Sequence, residues 1–178
     1  MTTPQYPSPA DRLRFCPYCA EPLSLRLVPT EDRPRLVCDR EHILYVNPKV
    51  VVNVVAERRG RLLLMRRAIE PRVGTWTMPG GFMEMDESVE ECAVREAQEE
   101  TGVTVRPLEL VGLYSRPAPP GPGIVSIVFR GPVYKGRASP GREALEVRWF
   151  QPEEIPWRDL SYETTHWALR DWLASRRR

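Results

Sequence analysis

The stretch Gly81-Phe-Met-Glu-Met-Asp-Glu-Ser-Val-Glu-Glu-Cys-Ala-Val-Arg-Glu-Ala-Gln-Glu-Glu-Thr-Gly-Val103 decides the fold. Ser88, followed three residues later by Glu91, is a capping box, and Gly102 is a natural C′ residue, so the spacing predicts a helix from Ser88 to near Gly102. On that helix Glu96 and Glu100 are four residues apart and Glu99 is three from Glu96, so all three project from one side toward a common point. Clustered carboxylates repel one another, and Mg²⁺ or Mn²⁺, which prefer oxygen ligands, would remove that cost. Arg95 lies four residues from both Glu91 and Glu99 and can orient a ligand carboxylate through a bidentate bond. Ahead of the helix, Gly80 and Gly81 let the backbone come close to a metal and a phosphate. A charge run of this kind ordinarily marks a solvated helix face; the glycine loop and the length of the pattern argue for a site instead.

The same segment resembles the Nudix box, G-x5-E-x7-R-E-U-x-E-E-x-G-U with U aliphatic, at Gly81, Glu87, Arg95, Glu96, Ala97, Glu99, Glu100, Gly102 and Val103. The resemblance implies hydrolysis of a nucleoside diphosphate linked to another group, with a divalent metal. It further implies Glu96, Glu99 and Glu100 as the metal carboxylates, the carbonyl of Gly80 or Gly81 as a further ligand, and Glu87 paired with Arg95 to brace the loop. In the family the general base is a box glutamate or one from a later loop, and Glu143 and Glu146 are the later candidates. Ordinary exposed charges are the competing reading of both.

Around the box, the patterning predicts a β-branched strand at Lys49 to Ala56, a turn at Glu57 to Gly60 and a strand at Arg61 to Arg67. Further strands are predicted near Val103 to Ser115, Ile124 to Tyr134 and Leu145 to Phe150. A closing helix is predicted from about Tyr162 to Ser175, with Tyr162, Leu169, Trp172 and Leu173 on its core stripe. Trp157, Trp167 and Trp172 read as core, and His166 as packing or surface. Strands flanked by two helices make the class α/β, and the resemblance makes it a Nudix-type α/β/α sandwich with a mixed sheet.

Three of the four cysteines lie near the N-terminus with His42. Cys16-Pro-Tyr-Cys19 is a CxxC knuckle and Cys38-Asp-Arg-Glu-His42 a second pair, a Cys₃His set suited to tetrahedral structural Zn²⁺. Such a metal would staple a segment too short for its own core. The order resembles a Nudix subgroup in which a zinc ribbon, usually with two CxxC pairs, precedes an Asn-Pro dipeptide, here Asn47-Pro48. The second pair departs from that pattern, so His42 is the expected fourth ligand with Glu41 and Asp39 as alternatives; a ribbon without metal and a redox pair at Cys16 and Cys19 also remain open. Cys92 reads as a small core residue.

At 178 residues the chain supports one main domain with an appendage: a lead at 1–13, the ribbon at 14–46 and the hydrolase domain at 47–178. With 26 basic against 24 acidic residues the net charge is +2, which gives no global drive toward nucleic acid. No stretch has the length of a membrane span and the first residues lack signal-peptide features, so a cytoplasmic protein without membrane contact is expected. Arg176 to Arg178 read as a solvated tail, and Pro117 to Gly123 as a shaped loop.

For the substrate, Ser139 to Phe150, Glu153 to Trp157 and the ribbon together resemble the Nudix subgroup acting on ADP-ribose and FAD. Pro119 fits the proline that, sixteen positions beyond the box, marks ADP-ribose hydrolases, although four prolines crowd that loop. The Ser-Gln-Pro-Trp-Pro-Phe-Pro signature of larger NADH pyrophosphatases is absent. Trp76, Phe82 and Tyr114 are the aromatic candidates for stacking on adenine or flavin. A sanitiser of oxidised nucleoside triphosphates, a hydrolase of NAD-capped RNA and a non-catalytic ribbon adaptor stay open. Enzymes of this kind are commonly homodimers, and a small-molecule nucleotide is the expected partner.

Overall fold

The computed structural model describes residues 12–106, 109–117 and 123–176. The chain divides into two compact units, Met1–Lys49 with Arg116–Ile124 and Val50–Ser115 with Val125–Arg178.

In the first unit β1 (Leu23–Arg26), β2 (Arg35–Cys38) and β3 (Ile43–Leu44) form an antiparallel sheet in that order. Little apolar area is enclosed: Cys16, Leu36, Val37 and Cys38 are buried while Phe15, Tyr18, Leu25 and Leu27 are exposed. The sheet edges run into two knuckles. In the first, the Ala20 N–H donates to the Cys16 carbonyl at 2.8 Å with Ala20 left-handed at φ 61°. In the second, the Glu41 N–H donates to the Cys38 carbonyl at 2.9 Å with Glu41 at φ 63°.

The second unit is a helix–sheet–helix sandwich. Its central strands are β4 (Lys49–Arg58) and β5 (Arg61–Arg67), joined by a two-residue turn with Arg59 at φ 52° and Gly60 at φ 79°, the type I′ combination that matches strand twist. The expected turn at 57–60 is therefore tighter, because Glu57 and Arg58 pair with Leu62 and Arg61. The remaining strands are β6 (Trp76–Thr77), β7 (Gly80–Phe82), β8 (Val103–Val105), β9 (Glu109–Arg116), β10 (Ile124–Gly136) and β11 (Ala144–Phe150). The order is β11-β5-β4-β10-β8, with β6 on β5, β7 on β4 and β9 on β10. The strand expected at 103–115 is two strands, and β6 and β7 join the sheet where no strand is expected. An isolated parallel bridge joins Trp76 of β6 to Leu160, which lies outside the named strands.

Helix α1 (Val89–Thr101) covers one face and α2 (Glu163–Ser175) the other. Alternation along the strands divides the core: Val52, Val54, Ala56 and Leu63 pack with Cys92, Ala93 and Ala97 of α1. Val55, Leu62 and Leu64 pack with Ala168, Leu169 and Trp172 of α2. A strand buried on both faces needs no polar alternation, which is why Val50 to Ala56 reads as apolar with a single break. That break, Asn53, is buried and donates to the Ser126 hydroxyl at 2.9 Å.

The capping box forms as expected, with Ser88 as N-cap and Gly102 left-handed at φ 70°. Tyr162 is the N-cap of α2, outside its core stripe, and Leu173 is only partly buried. Trp167 departs from expectation. It is 38 % exposed, because Thr165, Ala168, Leu169 and Trp172 occupy the inner face of α2. No helix among the described residues is long and apolar enough to cross a membrane.

Candidate active site and metal centre

Strand β7 lies against α1, and its glycines admit the carboxylates. A Cβ on Gly81 would overlap the Glu96 carboxylate, and one on Gly80 would collide with the Val52 carbonyl and Asn53. In that space the Gly80 N–H donates to Glu100 Oε2 at 2.8 Å. Glu96 is 8 % exposed and Glu100 6 %, whereas the Glu99 side chain is 61 % exposed at the rim. Burial pushes the Glu100 carboxyl up to about 8, and the Glu96 and Glu143 charges add to the rise. Burial also raises Glu96, against the lowering by Arg95. Two buried carboxylates raised together, beside a backbone brought close by glycine, are the oxygen-rich environment a hard divalent cation suits.

Arg95 organises the approach. Its Nε and one terminal nitrogen grip Glu87 at 2.9 and 2.7 Å, the same nitrogen reaches the Phe82 carbonyl at 3.2 Å, and the other bonds Glu96 at 2.8 Å and Glu99 at 3.3 Å. The Glu87 carboxylate also accepts the Glu84 N–H at 2.8 Å. The Arg95 fork first, and that N–H second, hold Glu87 down at about 2. Cys92 is buried beside this network and its thiol is pushed up to about 12 by burial.

The two later glutamates separate. Glu143 stands just before β11, and its charge acts on both Glu96 and Glu100. Glu146 is exposed in β11, paired in register with Arg66, and no interaction joins it to the box carboxylates among the described residues. The aromatic candidates separate too. Trp76 is 9 % exposed and packed edge-on to Phe150 with ring centres 5.0 Å apart, within the core on the α2 side. Tyr114 packs against the α2-side core and its hydroxyl donates to Asp171 at 2.8 Å. Phe82 is 50 % exposed at the end of β7. Pro119 lies outside the described residues.

Arg67 is a site neighbour that the sequence does not mark, and Tyr162, expected on the core stripe of the closing helix, lies beside it. Arg67 is 9 % exposed, donates to the Pro71 carbonyl at 2.9 Å and lies 5.5 Å over the Tyr162 ring, close enough to lower Glu100. The available signal was an arginine pair closing an apolar strand, which reads equally as a surface end.

In the first unit Cys16, Cys19, Cys38 and His42 offer ligand atoms all within 4.8 Å of one another. Cys16 Sγ is 3.6 Å from His42 Nδ1 and Cys19 Sγ is 3.7 Å from Cys38 Sγ. Burial raises the Cys16 thiol, but hydrogen bonds from the Tyr18 and Cys19 backbone prevail and bring it to about 7. Glu41 forms the turn of the second knuckle and Asp39 is 82 % exposed toward Arg26, so His42 completes the set and neither alternative joins it. Thiolates with an imidazole at this spacing can bind a soft or borderline metal ion.

These features find their counterpart in known proteins. A family model described as NUDIX domain matches residues 46–173, and one described as Nudix N-terminal, a zinc ribbon, matches residues 14–45. The chain belongs to the Nudix family of hydrolases. It is similar to an ADP-ribose pyrophosphatase of Methanocaldococcus jannaschii, 37% identical over 118 residues that make up 66% of this chain and 70% of that one. It is also similar to the NAD-capped RNA hydrolase NudC of Stutzerimonas stutzeri, 28% identical over 166 residues, 92% of this chain but only 57% of that protein's length. Among solved structures, a NUDIX hydrolase from Nitrosomonas europaea superposes with a TM-score of 0.85 at 36% identity, covering 93% of both chains.

Proposed function

We propose that this chain hydrolyses the diphosphate of a nucleoside diphosphate linked to a second group, with ADP-ribose or FAD as the substrate class. Mg²⁺ or Mn²⁺ would be held by Glu96, Glu99, Glu100 and the Gly81 carbonyl, and Zn²⁺ by Cys16, Cys19, Cys38 and His42. The observation that carries this reading is the convergence of buried Glu96 and Glu100 on the Gly80–Gly81 backbone, with Glu143 acting on both. The divalent cation, when bound, neutralises the diphosphate and makes a water more acidic.

The chain's own groups then have separate tasks. Gly80 fixes one oxygen of Glu100, and the Glu87–Arg95 brace fixes Glu96. Water attacks phosphorus in line and Glu143 accepts its proton. The bond to the bridging oxygen breaks, leaving AMP with ribose 5-phosphate or FMN. Phe82, at the end of the strand that carries the site, is suited to stack on the base or flavin.

The substrate class is supported by the similarity to an ADP-ribose pyrophosphatase. A second reading, removal of an NAD cap from RNA, is favoured by the similarity to NudC over 92% of this chain, ribbon included. A cytoplasmic homodimer acting on small nucleotides completes the proposal. The test is a panel of ADP-ribose, FAD, NADH, NAD⁺, NAD-capped RNA and 8-oxo-dGTP with Mg²⁺ and Mn²⁺, with products identified. AMP with ribose 5-phosphate or FMN is expected, with preference rather than exclusivity, because the site reads the shared diphosphate. Far more efficient cleavage of 8-oxo-dGTP than of every dinucleotide would overturn the substrate class.

A further inference from the structure

The segment between β10 and β11 returns to the end of α1 and closes on it. The last carbonyls of a helix have no partner within the helix. Here the Gly102 N–H takes the Gln98 carbonyl at 2.9 Å, the Gly141 N–H the Glu100 carbonyl at 2.9 Å and the Ser139 N–H the Thr101 carbonyl at 3.0 Å. The fit at Gly141 leaves no room: a Cβ there would overlap the Glu99 carbonyl oxygen and sit 3.1 Å from the Glu100 Cα. Space, not a left-handed backbone, is what demands glycine.

Two residues further on, the Glu143 carbonyl accepts the Ala68 N–H at 2.8 Å, and the Ala144 N–H turns back to the Gly141 carbonyl at 3.2 Å. Glu143 is thus carried between two anchors, one on the last turn of α1 and one just past the end of β5. Both anchors border the site: Glu99 and Glu100 belong to that turn, and Ala68 follows Arg67, whose charge reaches Glu100.

We propose that Gly141 is a positioning residue: its missing Cβ lets the 137–143 arm close on the Glu99 and Glu100 backbone, and that closure, with the anchor at Ala68, fixes the backbone from which the Glu143 carboxylate projects. The inference rests on the reading of Glu143 as proton acceptor. A side chain at Gly141 lifts the arm and withdraws that carboxylate, while the Glu96 and Glu100 carboxylates keep their own anchors on Arg95 and the Gly80 N–H.

The test is a double-mutant cycle on the full chain with ADP-ribose and Mg²⁺: wild type, Gly141→Ala, Glu143→Gln and the double variant, with Mn²⁺ binding followed by electron paramagnetic resonance. Gly141→Ala is expected to lower kcat by about 10²-fold, the usual scale of a lost general base, with KM and Mn²⁺ affinity within about 3-fold of wild type. The double variant should be no slower than Glu143→Gln by more than about 3-fold, because the two substitutions remove one function. Wild-type kcat in Gly141→Ala beside a slow Glu143→Gln overturns the positioning role alone, and so does a double variant whose losses multiply. Wild-type kcat in Glu143→Gln overturns the proton-acceptor reading and, with it, this inference. Should Gly141→Ala fail to fold, hydrogen exchange of the wild-type chain decides. Ser139 and Gly141 amides as protected as that of Gly102 support the closure, and exchange at the rate of an open loop overturns it.

Discussion

The Gly80 N–H and the Glu100 carboxylate meet at 2.8 Å, joining the edge of β7 to the last turn of α1 across twenty residues of sequence. The bond holds a buried acid against bare backbone. Burial outweighs it, so Glu100 keeps its proton to about pH 8. A site of that kind is costly when empty and gains from a cation.

The first prediction is the pH dependence of that cost. The Glu100 carboxyl is raised from an ordinary 4.5 to about 8 on folding, so between these values the folded chain holds a proton that the unfolded chain has lost. Stability of the metal-free protein therefore falls as pH rises through this window and levels above it, each pK unit being worth about 1.4 kcal/mol at most. Because the cation competes with the proton, the gain in Tm on adding Mg²⁺ should grow with pH across the same window. Thermal melts in EDTA and in Mg²⁺ measure both; a metal-induced shift independent of pH would contradict the assignment.

The two later glutamates make a paired prediction. Glu143→Gln should lower kcat by about 10²-fold or more, while Glu146→Gln, an exposed β11 residue opposite Arg66, should stay within about 3-fold of wild type. Steady-state kinetics with ADP-ribose decide it. The reverse order would move the proton acceptor to β11.

Arg95→Lys tests the brace. A lysine cannot reproduce the fork that holds Glu87 at 2.9 and 2.7 Å while reaching the Phe82 carbonyl and Glu96. A loss of about 1–3 kcal/mol in stability, read by denaturant unfolding, is expected, together with a fall of about 10-fold or more in kcat/KM as Glu96 loses its orientation. Unchanged kcat/KM would reduce Arg95 to a surface charge.

Much of this was open to reading in the sequence, for physical reasons that can be named. Helix α1 announces itself because its signals are local: Ser88 and Glu91 cap one end and Gly102 the other. The placement of Trp76 is not local, since its burial depends on Phe150 and on Leu160, far along the chain. Trp167 departs from its expected core position for a related reason. Its helix has a stripe containing Thr165 and Ala168, and a tryptophan looks more like core than a threonine does. Glu143 and Glu146 are three residues apart and chemically alike; the arm fastened to the end of α1 separates them, and that contact spans some forty residues. Likewise His42, Glu41 and Asp39 compete on paper until the knuckle turns on Glu41.

For the ribbon, the protein purified without added zinc should carry about one equivalent of Zn²⁺ per chain, the content of a single Cys₃His site. Cys38→Ser should lose most of it and lower Tm, since the unit encloses little apolar area of its own. Elemental analysis checks the content. Free cysteines, no zinc and an unaltered melt would mean that the four side chains pack without a metal.

The central claim is that buried carboxylates on α1 hold the metal that makes the diphosphate reactive, and turnover of ADP-ribose by Glu100→Gln at saturating Mg²⁺ tests it most directly. Glutamine keeps the size of the side chain and an oxygen for the Gly80 N–H but removes the anionic ligand. The account predicts turnover lower by about 10²-fold or more in a protein that still folds. Turnover close to wild type at saturating metal would contradict it.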